Sequence, residues 1–169
     1  MNRFDKAISA LSNAYTNNTL FKGNCISCAV GNIICDANDL TIHKEISGNR
    51  CGYNIDVSNG TICDWEDLFC TTSGLQTISN GSNIETTRLN VIVKQLSKTG
   101  YSIKELAMIE ETFENNTNIS HHIVLSYTDT EVRSDTYTGL MAVVDTLCDI
   151  EEKTDEQRTG VKELFKYTA

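Results

Sequence analysis

The sequence has no proline, one tryptophan and three histidines among its 169 residues. Without proline, no predicted helix is broken by the missing N–H and the ring clash that this residue introduces. The histidines, His43, His121 and His122, lie in no motif of a Cys-His hydrolase, and the pair His121-His122 is typical of exposed polar sequence. A glycine-rich phosphate-binding loop is missing as well. We therefore expect a protein without enzymatic activity.

Positive charge is also scarce. The chain has 14 lysines and arginines against 23 aspartates and glutamates, which gives a formal net charge of -9. The basic residues are scattered, and a chain with this charge is repelled on average by a phosphate backbone and by an anionic membrane surface. We expect it to bind neither nucleic acid nor membranes.

Long apolar runs are missing too. No stretch approaches the 18 or so apolar residues of a membrane span, and the first residues lack the apolar segment of a signal peptide. Hydrophobic residues make up 40% of the chain and charged residues 22%, which are values of an ordinary globular protein. The sequence predicts a cytoplasmic protein with a single domain, 1–169.

Apolar residues recur at steps of three and four along most of the chain, which is the pattern of amphipathic helices. The clearest helix runs from about Arg3 to Thr16 with Asn2 as its N-cap, and a short buried helix within 25–35 is expected to be interrupted at Gly31. Further helices are predicted on the apolar groups Trp65/Leu68/Phe69, Leu89/Ile92/Val93/Leu96, Ile103/Leu106/Ile109/Phe113, Leu140/Val143/Val144/Leu147/Cys148 and Val161/Leu164/Phe165.

Capping residues mark where these helices begin and end. The signals are Asp64 and Gly74 around the tryptophan, Ser82-x-x-Glu85, Gly100, Ser102-x-x-Glu105 with Tyr101 and Leu106 as a hydrophobic staple, Ser134 or Asp135, and Thr154-x-x-Gln157. Gly31 and Gly139 are isolated glycines that we expect to allow close approach of helices.

Two regions lack helical periodicity. Residues 36–61 are polar and glycine-rich, which favours an irregular or hairpin-like excursion, and residues 122–127 are typical of a strand or an extended linker. The sequence therefore predicts a mainly α fold, a compact bundle of about five to seven helices with an irregular, hairpin-like insertion near 36–62.

The seven cysteines carry the most chemistry in the sequence. Their odd number and a reducing compartment favour thiols over a disulfide framework. Cys25 and Cys28 have the two-residue separation that lets two thiolates bind one zinc ion. We predict a structural zinc site from Cys25, Cys28, Cys35 and Cys63, and the alternative ligands are Cys51, Cys70, Cys148 and His43.

Two other roles for the cysteines stay open. Buried cysteine packs as a small apolar residue, which is the default role of Cys148 on its helical stripe. A redox dithiol or an iron-sulfur centre is the remaining alternative, although a helix and a polar loop precede Cys25, whereas a redox Cys-x-x-Cys follows a strand.

Three segments resemble a family of small uncharacterised proteins from flavobacteria and other Bacteroidetes. The segments are Cys25-x-x-Cys28-Ala29-Val30-Gly31-Asn32-Ile33, Gly100-Tyr101-Ser102-x-x-Glu105-Leu106-x-x-Ile109-Glu110 and Gly139-Leu140-x-Ala142-Val143-Val144. Many members carry the name of one component of a sodium-translocating NADH-quinone reductase, which implies a membrane-anchored flavin and iron-sulfur enzyme. This sequence has neither an anchor nor a Cys-x4-Cys-x2-Cys run, so we expect that name not to apply.

These observations predict a binding or adaptor protein, with a structural zinc held by cysteines. The first alternative is a small thiol-based redox or iron-sulfur protein that uses Cys25 and Cys28. The second is a phage- or host-encoded interaction protein that binds a protein partner or a small signalling ligand.

Overall fold

Helices make up most of the fold, as the apolar pattern predicts. The computed structural model describes residues 1–47, 50–55 and 86–166. Its elements are α1 (Arg3–Thr16), α2 (Ala29–Ala37), β1 (Ile42–Ser47), β2 (Arg50–Ile55), α3 (Thr86–Ser97), α4 (Ile103–Asn116), a 3-10 turn (Val124–Ser126), α5 (Asp129–Ile150) and α6 (Asp155–Lys166). The prediction of a mainly α bundle with a small irregular insertion is confirmed.

Helix α1 matches its predicted bounds. The side chain of Asn2 accepts a hydrogen bond from the backbone N–H of Asp5 at 2.8 Å, which caps the helix as expected. The predicted apolar stripe is buried at every position, namely Phe4, Ala7, Ile8, Leu11, Ala14 and Tyr15. This stripe forms one wall of the main core.

Helix α2 begins later than predicted and is continuous. Cys28 is its N-cap, and the helix passes through Gly31 without a break to Ala37. The expected interruption at Gly31 is wrong, because this glycine serves to admit the backbone of the preceding turn and not to end the helix.

The hairpin-like insertion is an antiparallel pair of strands, in register from Ile42 opposite Ile55 to Ser47 opposite Arg50. Tyr53 of β2 stacks on Phe21 with ring centroids 5.3 Å apart. This contact anchors the hairpin to a small second core that also contains Cys35 and Val124. The predictions that involve Asp64, Trp65, Gly74 and the box Ser82-x-x-Glu85 lie outside the described residues.

The junction between α3 and α4 follows the sequence signals closely. Gly100 has a φ of 79°, and Ser102 with Glu105 forms a reciprocal capping box. Tyr101 and Leu106, the predicted staple, are both buried. One prediction on α3 is wrong, since Val93 is 42% exposed while Ile92 and Leu96 face the core.

Residues 122–127 do not form a strand. Turns and the 3-10 turn occupy this stretch, and α5 begins at Asp129, earlier than the predicted Ser134 or Asp135. The cause is a capping box in which Thr128 and Glu131 bond each other's backbone N–H groups, which adds more than a turn to the helix. Of the apolar side chains in the stretch, Val124 is buried while Ile123 and Leu125 are exposed.

Helix α5 crosses the centre of the main core. Its predicted stripe, Leu140, Val143, Val144, Leu147 and Cys148, is fully buried. Helix α6 then closes the bundle with Phe165, whereas Leu164, which the pattern also placed inward, is 59% exposed. In the part of the chain that the structure describes, no helix combines the length and apolar character needed to cross a bilayer.

Candidate functional site

The Cys-x-x-Cys segment forms a turn that leads into α2. The Asn24 side chain accepts hydrogen bonds from the backbone N–H groups of Ile26 and Ser27, at 3.0 and 3.2 Å. The Asn24 carbonyl accepts from the N–H groups of Ser27 and Cys28, at 3.1 and 2.8 Å. Asn24 therefore fixes the backbone between the two cysteines.

The Cys28 thiol is used in capping the helix. Its Sγ accepts a hydrogen bond from the backbone N–H of Gly31 at 3.2 Å and donates one to the carbonyl of Cys25 at 3.3 Å. The side chain is fully buried. Burial raises the pKa of the Cys28 thiol well above its ordinary value, and the carboxylate of Glu110 on α4 raises it further. Cys28 is therefore a protonated structural thiol and not an activated nucleophile.

Gly31 and Asn32 complete this turn. A Cβ at Gly31 would lie 2.0 Å from the carbonyl oxygen of Cys25, so only glycine fits there. The Asn32 Nδ2 donates to the carbonyls of Thr19, Ser27 and Cys28 at 2.9–3.1 Å, and its Oδ1 accepts from the Thr19 hydroxyl at 3.2 Å. The segment from Cys25 to Asn32 is thus explained as a folding device.

The predicted zinc ligands lie in different surroundings. Cys25 is half-buried, Cys28 and Cys148 belong to the main core, and Cys35 belongs to the second core. Cys28 and Cys35 stand at opposite ends of α2, which the helical rise separates by about 10 Å along the axis. His43 is exposed on β1.

Three of the seven cysteines are not tested as ligands. Cys63 and Cys70 lie outside the described residues, as does the side chain of Cys51. Within residues 1–47, 50–55 and 86–166, no three His, Cys, Asp or Glu side chains come together as a metal site requires. The zinc set Cys25, Cys28, Cys35 and Cys63 stays a prediction.

Comparisons with protein-family models, curated proteins and solved structures find no match to this chain. The resemblance to the Bacteroidetes proteins therefore stays a prediction.

The sequence predicts an exposed His121, but this residue is buried. Its backbone N–H donates to the carbonyl of Lys22 at 3.0 Å, and its ring packs beside Gly23 and the ring of His122. The Lys22 ammonium donates to the carbonyls of Glu114 and Thr117, at 2.5 and 2.8 Å, and so caps the end of α4. Because the contact between His121 and Lys22 joins distant parts of the chain, no local sequence pattern indicates that His121 is buried.

A groove of about 410 Å³ lies between α1 and the hairpin. Its hairpin wall consists of residues 41–44, and its helix wall consists of Ala10, Asn13, Ala14 and Asn17. Thr19, Asn32, Cys35, Asp36 and Leu40 complete the lining. Sequence reasoning missed this groove, because it exists only where the hairpin folds back toward α1.

The hairpin presents an edge to this groove rather than a face. Side chains of a strand alternate between the two faces of a sheet, so a face would contribute every second residue of both strands. Here Thr41, Ile42, His43 and Lys44 line the groove in succession, and none of the described side chains of β2 lines it. This succession indicates that the outer edge of β1, with its backbone N–H and C=O groups, borders the groove.

Charges of both signs lie around the groove. Lys44 is on the hairpin side, with its ammonium 5.9 Å from the ring centroid of Phe21. Asp36 is on the α2 side, and partial burial together with the nearby carboxylate of Asp39 raises the pKa of Asp36. Asn13 and Asn17 add amide donors and acceptors on α1. This arrangement suits a polar, backbone-rich ligand.

Proposed function

We propose that this chain is a non-enzymatic adaptor that holds an extended peptide segment of a protein partner in the groove between α1 and β1. The observation that carries the proposal is the succession of residues 41–44 along one wall, since it indicates that a strand edge borders the cavity. The pairing groups of an edge strand are a template for a further strand. An added peptide strand would gain main-chain hydrogen bonds from β1.

The helix wall leaves room for the side chains of such a peptide. Ala10 and Ala14 are small, and the amides of Asn13 and Asn17 can bond polar groups of the peptide. The hairpin itself also gains, because a two-stranded sheet is marginally stable and a third strand completes it. Affinity would come from the β1 backbone, and selectivity from the α1 side chains.

A peptide library displayed on phage tests the proposal. The full chain is immobilised, bound ten-residue peptides are selected, and their affinity is measured by calorimetry. Hydrogen–deuterium exchange with and without a selected peptide then locates the site. We expect slower exchange at backbone amides within residues 42–46, because a strand ladder protects them.

Two variants of α1 provide the control. Asn13→Arg places a long side chain in the groove and is expected to weaken peptide binding by about tenfold or more. Thr16→Arg adds the same charge to an exposed position of the same helix that does not line the groove, and should bind normally. Equal binding by both variants, unchanged exchange in β1, or a library that yields no peptide would each contradict the proposal.

A structural zinc remains compatible with this function. The site would combine the Cys25-Cys28 pair with ligands such as Cys63 or Cys70, and the metal would replace the proton through which the Cys28 thiol bonds the Cys25 carbonyl. Elemental analysis of protein purified without chelator decides the question, because a structural site would hold close to one zinc per chain. Less than about half an equivalent would rule it out.

The described cysteines occur as thiols and none is in a disulfide, which suits the cytoplasmic location that we propose.

A thiol hydrolase is the second candidate. The observation that favours it is that Cys35 and His43 line the same groove. A cysteine hydrolase needs its thiol and imidazole within hydrogen-bonding reach of each other. Cys35 is only 1% exposed, so we rank this candidate below the adaptor. Mass spectrometry of selected peptides after incubation distinguishes the two, since cleavage that Cys35→Ala abolishes would establish the hydrolase.

A further inference from the structure

A second cavity, of about 380 Å³, lies where the hairpin, the 3-10 turn and the start of α5 meet. Lys44 of β1, Val124 and Leu125 of the 3-10 turn and Asp129 of α5 are among its lining residues. Ligand pockets of proteins have volumes of roughly 300–1,000 Å³. A cavity near the lower end of this range suits a small molecule.

Apolar side chains form a large part of the lining. Phe21 and Val124 belong to the second core, and Val132 packs against that core. Leu125 and Tyr127 also line the cavity, and they are 46% and 42% exposed. A ligand with an apolar group would cover part of this exposed surface, which is favourable in water.

Charges of opposite sign stand beside this apolar surface. The Lys44 ammonium lies 5.9 Å from the ring centroid of Phe21, at the limit of cation–π range. Lys44 also borders the peptide groove, but Phe21 lines the cavity and not the groove, so the ammonium lies on the cavity side. Asp129, the first residue of α5, supplies the negative charge.

Both charges are available to a ligand. Within the described residues, the side chains of Lys44 and Asp129 form no ion pair and no hydrogen bond, either with each other or with a third residue. Arg133 lines the cavity as well, but its guanidinium carbon lies 5.2 Å from the ring centroid of Tyr15, which does not line the cavity. We therefore assign the ligand contacts to Lys44 and Asp129 alone.

We propose that this cavity binds a free α-amino acid with an apolar side chain. Such a molecule carries a carboxylate and an ammonium group on the same carbon atom, so it can pair with Lys44 and with Asp129 at once. Its side chain would pack against Phe21, Leu125 and Tyr127. A residue within a peptide lacks both charges, so this ligand differs from that of the groove between α1 and β1 and does not depend on it.

Three matched probes test the two charge contacts. Phenylalanine carries an apolar ring and both charges, whereas 2-phenylethylamine lacks the carboxylate and 3-phenylpropanoate lacks the ammonium group. We expect calorimetry on the full chain near neutral pH to give an affinity for phenylalanine at least about fivefold higher than for either of the others. The preference should shrink as salt is added, because screening weakens exposed charge pairs.

Two variants assign each charge to its partner. Lys44→Met should weaken the binding of phenylalanine and 3-phenylpropanoate at least about fivefold without weakening that of 2-phenylethylamine. Asp129→Asn should weaken the binding of phenylalanine and 2-phenylethylamine to the same extent without weakening that of 3-phenylpropanoate. A variant that merely distorted the cavity would weaken all three.

The chain offers a matched control for each variant. Asp155 is the first residue of α6, as Asp129 is of α5, and it is exposed and does not line the cavity. Asp155→Asn therefore makes the same change at the start of a helix, where a carboxylate favours the helix dipole, without touching the site. Lys104→Met removes an exposed lysine of α4. Both controls should bind phenylalanine normally, and thermal unfolding confirms that each variant is folded.

Three results would overturn the proposal. They are the absence of detectable phenylalanine binding, a probe with one charge that binds as tightly as phenylalanine, and equal weakening by Asp129→Asn and Asp155→Asn. If one variant fails to fold, the other variant and the three probes still decide the outcome.

Discussion

Gly139 of α5 lies so close to Thr117 that a β-carbon on the glycine would stand 2.3 Å from the Thr117 Cγ2. The same β-carbon would stand 3.1 Å from the ring of Phe113 at the end of α4. Helices α4 and α5 therefore approach each other at this point more closely than any residue with a side chain would permit.

The first prediction concerns this contact. Gly139→Ala should lower the free energy of unfolding by about 1–3 kcal/mol, because the overpacked methyl group forces the two helices apart. Urea unfolding followed by circular dichroism measures the change. Gly160→Ala is the matched control: nothing lies within 4 Å of its β-carbon, so the better helix propensity of alanine should stabilise the protein by about 0.5–1 kcal/mol.

The second prediction concerns Asn32. Asn32→Ala leaves the carbonyls of Thr19, Ser27 and Cys28 without its amide hydrogens, and we expect a loss of at least about 2 kcal/mol. Asn116→Ala, which removes one hydrogen bond to the Thr112 carbonyl at an exposed site, should cost less than about 1 kcal/mol. Similar losses from the two variants would show that the Asn32 bonds do not hold the turn.

The third prediction concerns the thiols. Since burial raises the pKa of Cys28, its thiol should resist alkylation in the folded protein near neutral pH, while the half-buried Cys25 reacts sooner. Iodoacetamide labelling followed by peptide mass spectrometry orders the two rates. Labelling of Cys28 as fast as Cys25 would mean that the thiol is not committed to the helix cap.

The fourth prediction concerns acid stability. The Arg3 guanidinium hydrogen-bonds Glu105 and Glu151, so it joins α1 to α4 and to the end of α5. Burial alone would raise the pKa of Glu105, but hydrogen bonds from Ser102 and the interaction with Arg3 outweigh it and lower that pKa. Ionised Glu105 therefore stabilises the fold above its unfolded-state pKa, and this contribution is lost as the pH falls through the folded-state value.

Glu105→Gln isolates this charge, because glutamine can keep the capping box. Between about pH 6 and pH 3, the wild-type protein should lose about 0.3–1 kcal/mol more stability than the variant. Urea unfolding across this range provides the measurement, with Glu111→Gln at an exposed position of α4 as the control. A variant that loses stability in parallel with the wild type would rule out this role of the ion pair.

Local signals in the sequence were sufficient to predict much of the helical fold. The cap at Asn2, the turn at Gly100 and the box at Ser102 each involve residues a few positions apart, so short-range physics defines them. The same reasoning failed for residues 122–127. A run of apolar residues there suggests a strand, but of these residues only Val124 is buried in a core. The box at Thr128 was the overlooked signal.

The candidate sites were harder to predict, because each is made by distant segments. The peptide groove, for example, needs the edge of β1 beside α1. By contrast, the Cys-x-x-Cys pattern favoured the interpretation as a metal site. In the structure Cys28 caps a helix, and Gly31 leaves room for the backbone of the turn before it. A spacing that suits a metal also suits a helix cap, and the sequence alone does not separate the two.

The bond between the ammonium of Lys22 and the carbonyl of Thr117 joins residues 95 positions apart. Helices α4 and α5 are neighbours in the chain and can pair early in folding, whereas this bond requires the closure of a long loop. Docking of the segment that contains Lys22 and the Cys28 turn should therefore follow the pairing of α4 with α5.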